Sequence, residues 1–405
     1  MSPHTAASAS RRIAIMTFFG GIGGGVVFPI LPTLGMRLGL SSVMVGLILA
    51  ANRITRLGFN PVVGSLTDRF GGKWPVTAGL FIEGLGALAY VGALHFAVPA
   101  AWFLIGRVIW GVGSSLLFVG ALAAVLALSG RDDRGLVTAR VRSAISLGVP
   151  AGLLVGGVLA DIVSADAAFI TAAGFSFAAA LGALIAIPDA RPPQTPTEIT
   201  PAPGWIAMLR QPMLRAIWSY NALVFFTVSG VLLATLVVLV EQRQLYLPGL
   251  GAEGSAGVLM AVLMVWRAAA SLGIGRYLAR LERRTSLLIP TALVLAAGFA
   301  VIGFADSLWL VIVGLLLIGA GTGTLTIPLL ALMGDQVPAG RRGRATAIYQ
   351  VFGDAGGSAG PIIGLSSAVH FGFLPVYLAL AGLFVLSLPL GLYLRRAELA
   401  RTTVS

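Results

Sequence analysis

The chain has 405 residues, of which 57% are hydrophobic and only 10% are charged. Soluble domains carry about 25% charged residues, so this composition excludes a soluble globular protein and indicates that lipid is the main solvent. The net charge is +12, but the cations lie in short tracts between apolar runs, which argues against a nucleic-acid-binding surface and is typical of membrane topology.

Twelve apolar runs are long enough to cross a bilayer, which takes about 20 residues of α-helix. The first run follows Arg11 and Arg12, as the apolar part of a signal peptide does, but no cleavage site of small residues follows it, so we interpret it as a retained helix. The predicted helices cover residues 13–34, 42–63, 75–95, 101–128, 141–162, 167–188, 214–240, 255–278, 287–305, 309–333, 345–368 and 373–394.

The cations predict the orientation of these helices. With the N-terminus inside and strict alternation, the inner segments hold 21 Arg and Lys residues, whereas the outer segments hold only Arg37 and Arg243. This excess fits the positive-inside rule and an even number of helices, so we expect both termini in the cytoplasm. A single Lys among many Arg residues is typical of a GC-rich bacterial gene, and we therefore expect a multi-pass protein of the bacterial inner membrane.

Residues 189–213 interrupt the apolar pattern after the sixth predicted helix and are rich in Pro and polar residues. Such a segment is typical of a linker. We therefore predict an N-terminal six-helix bundle over residues 1–188, a cytoplasmic linker over 189–213, and a C-terminal six-helix bundle over 214–405.

The two predicted bundles resemble each other. Gly148 and Gly152 of the fifth predicted helix have counterparts in Gly356 and Gly360 of the eleventh, 208 residues later in both cases. Arg56 of the second helix likewise has a counterpart in Arg267 of the eighth, 211 residues later. A near-constant offset indicates an internal duplication, and parallel repeats are a known plan of transporters. The predicted fold class is therefore an all-α membrane protein with twelve transmembrane helices in two pseudo-symmetric bundles.

The loop between the second and third predicted helices contains a motif of small, apolar and charged residues: Gly64, Leu66, Asp68, Arg69, Gly71 and Lys73. This motif resembles the G-x-L-x-D-R-x-G-R-K loop of the major facilitator superfamily, with Gly72 where the family usually has Arg. The resemblance covers nearly the whole chain, because the family also has twelve helices and a central linker. It implies a secondary active transporter that works by alternating access.

An anion at Asp68 can accept hydrogen bonds from the N-terminal amides of a neighbouring helix, with the helix dipole adding to the attraction. In the family the corresponding Asp holds the loop to the eleventh helix in the outward-open state. The resemblance therefore implies that Gly64, Asp68, Arg69, Gly71 and Lys73 form a conformational latch. The alternative is a solvated charge cluster. The second half has Ala279 at the acidic position, so we expect a one-sided latch.

Arg107, Gly111 and Gly113 of the fourth predicted helix resemble the R-x-x-x-G-x-G pattern of the drug:proton antiporters in this superfamily, in which this Arg is linked to proton coupling. The alternative is an Arg that snorkels to the surface. The G-P-x-x-G-G signature of that branch is matched only in part by the fifth predicted helix, and the better match, Gly360-Pro361, lies in the eleventh.

Six ionisable residues lie within predicted helices, where charges cost at least a few kcal/mol and tend to mark function: Arg53, Arg56, Glu83, Arg107, Arg267 and Asp354. Arg56 and Asp354 lie about 12 and 15 Å from the inner helix ends, at a rise of 1.5 Å per residue. The second and eleventh helices are neighbours in the superfamily fold, so our hypothesis is that Arg56 and Asp354 pair between the halves.

Two other buried charges have two interpretations each. Glu83 is either a titrating carboxylate or a structural partner for an Arg, and the structural interpretation is favoured because the third helix is peripheral in this fold. Arg267 either pairs within the protein or binds a substrate anion. Because Glu83 and Asp354 are the only mid-membrane carboxylates, proton coupling must use one of them or a group of the substrate.

Further residues are candidates for a substrate cavity because they are polar and lie within predicted helices. They are Asn52, Arg53, Ser114, Tyr220, Asn221, Arg267, Thr322, Thr326 and Gln350. Hydroxyl groups in membrane helices more often bond to backbone or to neighbouring helices, which is the alternative for each of them.

The predicted function is proton-coupled efflux of drugs or metabolites. The alternative is transport of an organic anion, because four buried Arg residues suit paired recognition of carboxylate or phosphate. No nucleophile triad, metal cluster or phosphate loop is present, and the chain has no Cys, so we expect neither an enzyme nor a metal or cofactor site. The expected partners are the lipid bilayer, a small-molecule substrate and protons, without nucleic acid, for a monomeric protein.

Overall fold

The structure is a computed structural model that describes residues 3–128, 134–189, 205–278, 284–338 and 342–402. Within these ranges the chain is built from α-helices, with one π-helical and one 3-10 segment. The first six α-helices are α1 Pro3–Arg37, α2 Ser42–Phe70, α3 Lys73–His95, α4 Pro99–Leu128, α5 Arg134–Ile162 and α6 Ala165–Ala186.

The remaining elements begin at Trp205. A short helix α7 (Trp205–Leu209) precedes α8 (Pro212–Val224), a π-helical segment (Phe225–Leu232) and α9 (Leu233–Gln242), which together form one span. The later helices are α10 Ala252–Leu278, α11 Leu288–Phe304 after the 3-10 turn Arg284–Leu287, α12 Leu308–Gln336, α13 Arg342–Phe371, α14 Phe373–Leu386 and α15 Leu388–Thr402.

The predicted fold class is confirmed, since each of the twelve predicted helices coincides with a helical span. In the part of the chain that is described, eleven helices are long and apolar enough to cross a membrane. The twelfth is α13, a continuous helix of 30 residues that carries Arg342, Arg344 and Asp354 and many glycines, which lowers its hydropathy.

Local chemistry explains where several helices begin and end. Ser41 and Ser164 accept hydrogen bonds from the amides of Met44 and Ala167, and so cap the N-termini of α2 and α6. Gly71 ends α2 with a φ of +73°, a left-handed conformation that favours glycine. The motif loop therefore turns at Gly71, because glycine adopts this conformation without strain.

The chain divides into two compact units. The first comprises Met1–Thr197, Leu236–Glu241 and Tyr246–Ala261, and the second comprises Glu198–Thr235, Gln242–Leu245 and Val262–Ser405. The sequence did not predict that the C-terminal part of α9 and the N-terminal part of α10 belong to the first unit. The functional boundaries of the bundles and linker stay a prediction.

In the first unit α1 packs along α5 and α6, α3 packs along α4 and α6, and α2 packs along α4. Glycines permit these close approaches. A Cβ at Gly152 of α5 would lie 2.7 Å from the carbonyl carbon of Ile22 on α1, and closer still to its oxygen. Helices in membranes associate largely through such backbone-to-backbone packing.

In the second unit α13 packs along α8 and the π-helical segment, and α11 packs along α12 and α14. The Asn221 side-chain amide donates to the Tyr349 carbonyl at 2.7 Å, and Gly360 lies against Gly230 of the π-helical segment. A π-helical segment is rare and is often found at functional sites. The apolar pattern of the sequence did not predict it.

Candidate functional site

Arg107 is fully buried in the first unit, where it joins α4 to α2. Its Nη2 donates to the Leu49 carbonyl at 2.9 Å and to Asn52 Oδ1 at 2.7 Å, and its Nε donates to the Ile48 carbonyl at 3.2 Å. Its guanidinium also lies over the ring of Phe28, 5.7 Å from the ring centre. Arg107 therefore does not snorkel to a surface.

The motif glycine beside Arg107 makes this geometry possible. A Cβ at Gly111 would lie 2.6 Å from the Thr55 Cβ and 2.7 Å from the Asn52 carbonyl oxygen. Because Gly111 lacks a side chain, α4 approaches α2 closely enough for Arg107 to reach the α2 backbone. The R-x-x-x-G pattern thus corresponds to one contact, in which Gly111 allows the close approach of the helices and Arg107 forms the hydrogen bonds.

Arg107→Lys is expected to lower the stability by about 1–3 kcal/mol and to slow transport, because a single ammonium group cannot bind three oxygens in the geometry of a guanidinium. Thermal unfolding of the purified protein and transport in proteoliposomes measure the two effects. Arg243→Lys is the matched control, since Arg243 binds the carbonyls of Ile302, Gly303 and Ala305 at the end of α11. A control variant with the same loss of transport would contradict a specific role for Arg107.

Glu83 lies on α3 with no exposed surface, and neither of its carboxyl oxygens has a hydrogen-bond partner among the described residues. It packs against Gly113 of α4, where a Cβ would lie 2.8 Å from the Glu83 Cγ, and against Gly20 of α1. Arg56 exerts a coulombic attraction on it. Whether Glu83 titrates or has a structural role stays a prediction.

Arg53 and Arg56 of α2 are half-buried and lie over aromatic rings. The guanidinium carbon of Arg53 is 5.9 Å from the ring centre of Phe28, and that of Arg56 is 5.7 Å from the ring centre of Phe118. Cation–π contacts stabilise a cation by about 0.5–1 kcal/mol at exposed sites and by about 2 kcal/mol when it is desolvated, and these half-buried arginines lie between the two cases.

Asp354 lies on α13 in the second unit and is 2% exposed. The hydroxyl of Ser358 donates to the Asp354 backbone carbonyl at 2.7 Å. Arg56 belongs to the first unit and Asp354 to the second. Their pairing stays a prediction.

The motif loop is described except for the Asp68 side chain. The Arg69 guanidinium lies 5.2 Å from the ring centre of Phe70, and the Lys73 ammonium lies 5.9 Å from that of Trp74. A Cβ at Gly64 would meet nothing within 4 Å. Because the Asp68 side chain and Ala279 lie outside the described residues, the one-sided latch stays a prediction.

Five of the predicted cavity residues bind within their own unit. The hydroxyls of Ser114, Thr322 and Thr326 donate to backbone carbonyls of their own helices. Tyr220 donates to the Ser387 carbonyl at 2.8 Å, and Asn221 donates to Tyr349 as described above. The alternative that these groups are structural is favoured in this conformation.

The other predicted cavity residues are accessible. Asn52, Arg53 and Arg267 are half-buried, and Gln350 is exposed. Asn52 uses its side-chain oxygen to hold Arg107. Arg267 on α10 lies near Tyr349, and within the described ranges its guanidinium forms neither a hydrogen bond nor an ion pair. It is thus a half-buried cation without an acidic partner in the part of the chain that is described.

A charged cluster that sequence reasoning missed lies at one end of the first unit. We call it the Arg37 cluster, and it contains Thr33, Arg37, Asp161, Glu241 and Glu253. Arg37 forms ion pairs with Glu241 at 2.5 Å and with Glu253 at 3.0 Å. The Thr33 hydroxyl donates to the Glu253 carboxylate at 2.8 Å. The Asp161 carboxylate accepts a hydrogen bond from the Gly254 amide at 2.6 Å. The sequence did contain a signal for this cluster: its three acids lie near the ends of predicted helices, on the same predicted side of the membrane as Arg37.

Asp161→Asn is expected to lower stability by about 1 kcal/mol, because the carboxylate satisfies an amide in the first turn of α10 and faces the positive end of that helix. The melting temperature of the purified protein measures this effect. Asp306→Asn is the control, since Asp306 is exposed and no contact of its side chain is described. Equal melting temperatures for the two variants would show that the α10 contact contributes nothing.

No group of three or more His, Asp or Glu residues within the described ranges could hold a metal ion. In the first unit Glu83 and Arg107 are buried and Arg53 and Arg56 are half-buried. In the second unit Asp354 is buried and Arg267 is half-buried.

Comparison with known proteins identifies a family model. The model of the Major Facilitator Superfamily matches residues 13–265 and 246–404. The multi-drug resistance efflux pump PmrA of Streptococcus pneumoniae is 24% identical over 371 residues, which cover 89% of this chain and 90% of the pump.

Two further proteins are similar. Multidrug resistance protein 1 of Bacillus subtilis is 28% identical over 170 residues, and the match spans less than half of each protein, 42% of both. The crystal structure of a bacterial homolog of the human lysosomal transporter Spinster, inward-facing and occupied, superposes with a TM-score of 0.83 at 13% identity over 99% of each chain. This last likeness concerns the fold alone.

Proposed function

Because the chain belongs to the major facilitator superfamily, we propose that it is a proton-coupled exporter of drugs or metabolites that works by alternating access. It is a multi-pass membrane transporter and not an enzyme. The relatives named as multidrug efflux pumps support a drug-like substrate, and the excess of inner cations supports an inner-membrane protein with cytoplasmic termini.

The observation that carries the proposal is the burial of Glu83 without a hydrogen bond. An ionised carboxylate in apolar surroundings is very unfavourable unless it is paired and hydrogen-bonded. In this conformation Glu83 is therefore neutral and holds a proton. A conformation that hydrates the carboxyl group or brings a cation to it releases that proton, which couples proton movement to the transport cycle.

The test is proton movement in everted membrane vesicles that contain the overexpressed chain. A pH-gradient dye is followed while cationic drugs and, separately, organic anions are added, and the same additions are made to vesicles without the protein. We expect drugs to discharge the gradient only when the protein is present. Asp354→Asn is measured in parallel, and retained coupling in that variant leaves Glu83 as the proton carrier. A gradient that no drug discharges would contradict the proposal.

A second candidate function is transport of an organic anion, and Arg267 is the observation that favours it. A half-buried guanidinium with no carboxylate partner among the described residues is a binding group for carboxylate or phosphate. In the vesicle experiment this function predicts that anions, and not cationic drugs, discharge the gradient.

Arg267→Gln separates the two candidates. If Arg267 binds the substrate anion, we expect the KM for that anion to rise by about tenfold or more, because a charge-assisted hydrogen bond contributes about 1.5–3 kcal/mol. Uptake of a labelled anion into proteoliposomes measures it. Arg210→Gln, at an exposed cation, is the control. An unchanged KM would assign Arg267 a structural role.

A further inference from the structure

An open groove with a volume of about 540 Å³ lies on the surface of the first unit, between α3 and the N-terminal part of α4. Of the ten described residues that line it, only His95 is ionisable. Leu85, Leu88 and Ile105 of its lining are 42%, 43% and 48% exposed. A contiguous exposed apolar surface marks contact with a partner or a membrane. In a chain that spans the bilayer, such a groove opens toward acyl chains.

Small residues make this surface concave. Ala89 and Gly92 of α3 are buried within the lining, and a Cβ at Gly92 would lie 3.0 Å from the Trp102 ring. Because Gly92 has no side chain, the Trp102 indole lies directly against α3. The ring centres of Trp102 and Phe96 are 5.4 Å apart, so two aromatic side chains lie next to His95 at one end of the groove. Trp is enriched at the level of lipid headgroups, which places this end of the groove at the membrane surface.

The groove has the length of one bilayer leaflet. Leu85 and His95 lie ten residues apart on α3, which is about 15 Å at a rise of 1.5 Å per residue. The hydrocarbon core of a bilayer is about 30 Å thick. Because His95 is the last residue of α3, the groove runs from the membrane surface to the middle of the bilayer. An acyl chain of one leaflet covers the same depth.

A pair of polar side chains lies at the surface end of the groove. The His95 Nε2 is 2.8 Å from the Asp166 Oδ1 of α6, and the two side chains are 59% and 34% exposed. His95 is charged only when it is protonated, so its pair with an ionised Asp166 is neutral or negative. Such a pair disfavours a headgroup of net negative charge and favours an ammonium group, whose charge strengthens a hydrogen bond to a carboxylate. A carboxylate has about four acceptor sites, so Asp166 can accept this donor beside His95.

We propose that the groove binds a phospholipid with an ethanolamine headgroup, with one acyl chain lying between α3 and α4 and the ammonium group donating to Asp166. A choline headgroup carries the same charge but has no N–H to donate, and a glycerol headgroup leaves the phosphate charge unbalanced. Ile105 and Ile109 of the lining flank Arg107 on α4, so the bound lipid contacts the helix that carries this residue. The lipid site goes beyond the proposed function and does not rest on it.

Mass spectrometry of the intact, purified protein tests the headgroup. The detergent solution holds equal amounts of phosphatidylethanolamine, phosphatidylcholine and phosphatidylglycerol with identical acyl chains, and the mass of the complex identifies the bound lipid. We expect the wild type to retain phosphatidylethanolamine about tenfold over each of the others, since neither can form the charge-assisted hydrogen bond to Asp166. Asp166→Asn should lose this preference, whereas Asp306→Asn, at an exposed acid outside the groove, should keep it. Equal retention by the wild type, or an unchanged preference in Asp166→Asn, overturns the proposal.

Filling the groove tests the position of the acyl chain. Leu88→Trp and Ile105→Trp each add volume at an exposed side chain of the lining, which the fold accepts without repacking its core. Leu181→Trp is the matched control, because Leu181 of α6 is 59% exposed and does not line the groove. We expect the two groove variants to lose the retained lipid and the control to keep it. Equal lipid retention in all three variants overturns the groove as the binding site.

Trp102 provides a second measurement that needs no filled groove, because bromine atoms on an acyl chain quench the fluorescence of an indole that they contact. The wild type is reconstituted in vesicles that hold brominated phosphatidylethanolamine or brominated phosphatidylcholine as a minor component. We expect the ethanolamine lipid to quench more strongly, and Trp102→Phe to remove the difference. Equal quenching of the wild type by the two lipids contradicts the proposal. None of these measurements involves transport, so a failure of the proposed function does not affect their outcome.

Discussion

Glu83→Gln is expected to abolish proton-coupled efflux while leaving the fold and the binding of drug intact. Gln has nearly the shape of a neutral carboxyl group and cannot release a proton. Glu83 is buried without a hydrogen-bond partner among the described residues, and in the proposed function it is neutral, so the substitution exchanges one neutral group for another. We expect gradient-driven efflux to fall by about a hundredfold or more, with little change in melting temperature.

The measurement that isolates coupling compares two assays in proteoliposomes. Gradient-driven efflux requires proton release, whereas exchange of labelled for unlabelled drug without a gradient does not, so Glu83→Gln should affect the first far more than the second. Glu398→Gln is the control, because the Glu398 carboxylate binds the amides of Arg284 and Thr285 at the start of the 3-10 turn. Retained gradient-driven efflux in Glu83→Gln would assign the proton to another group.

Gly152→Ala is expected to destabilise the protein severely. A Cβ at Gly152 would lie 2.7 Å from the Ile22 carbonyl carbon and 2.9 Å from the Ile22 Cα, so the new methyl group meets backbone that no side-chain rotation can relieve. The α1 and α5 helices would have to separate along their contact. Overpacking usually costs about 1–3 kcal/mol and occasionally more, and we expect the upper end of this range or beyond, with little folded protein recovered.

Gly174→Ala is the matched control for this substitution. Gly174 lies within α6, and a Cβ there would meet nothing within 4 Å. Ala is favoured over Gly in a helix by up to about 1 kcal/mol, so the control should be as stable as the wild type or slightly more stable. Expression and thermal unfolding of the two variants are compared. Equal stability would show that α1 and α5 can shift to accept a methyl group.

The helical spans were predictable from the sequence because hydropathy is a local property. About 20 apolar residues in a row satisfy both the bilayer and the backbone hydrogen bonds of a helix without reference to the rest of the chain. The same holds for Gly71, whose left-handed φ of +73° requires glycine at that turn. The R-x-x-x-G-x-G pattern predicted that Arg107 takes part in function. It did not predict which groups of α2 accept hydrogen bonds from the Arg107 guanidinium.

The partners of the buried charges were decided by the tertiary structure. Arg107 reaches Asn52 across 55 residues of sequence, and Thr33 reaches Glu253 across 220. The sequence favoured a structural role for Glu83, but the structure gives its carboxyl group no hydrogen-bond partner within the described residues. A residue's partner depends on which helix faces point at each other, and hydropathy does not encode that.

By itself, then, the sequence determined where the helical spans lie and the motifs that the family shares. Several helices extend beyond their predicted bounds: α1 begins at Pro3 rather than residue 13, and α2 ends at Phe70 rather than residue 63. Only the tertiary structure showed that Glu83 and Ser176 pack near Gly20 and Gly23 of α1. It also showed that Arg37 forms ion pairs with Glu241 and Glu253. The physical reason is that hydrophobic burial in a bilayer acts on each helix separately, whereas hydrogen bonds and ion pairs act over about 3 Å between helices. Such short-range contacts are fixed only when the backbones have packed.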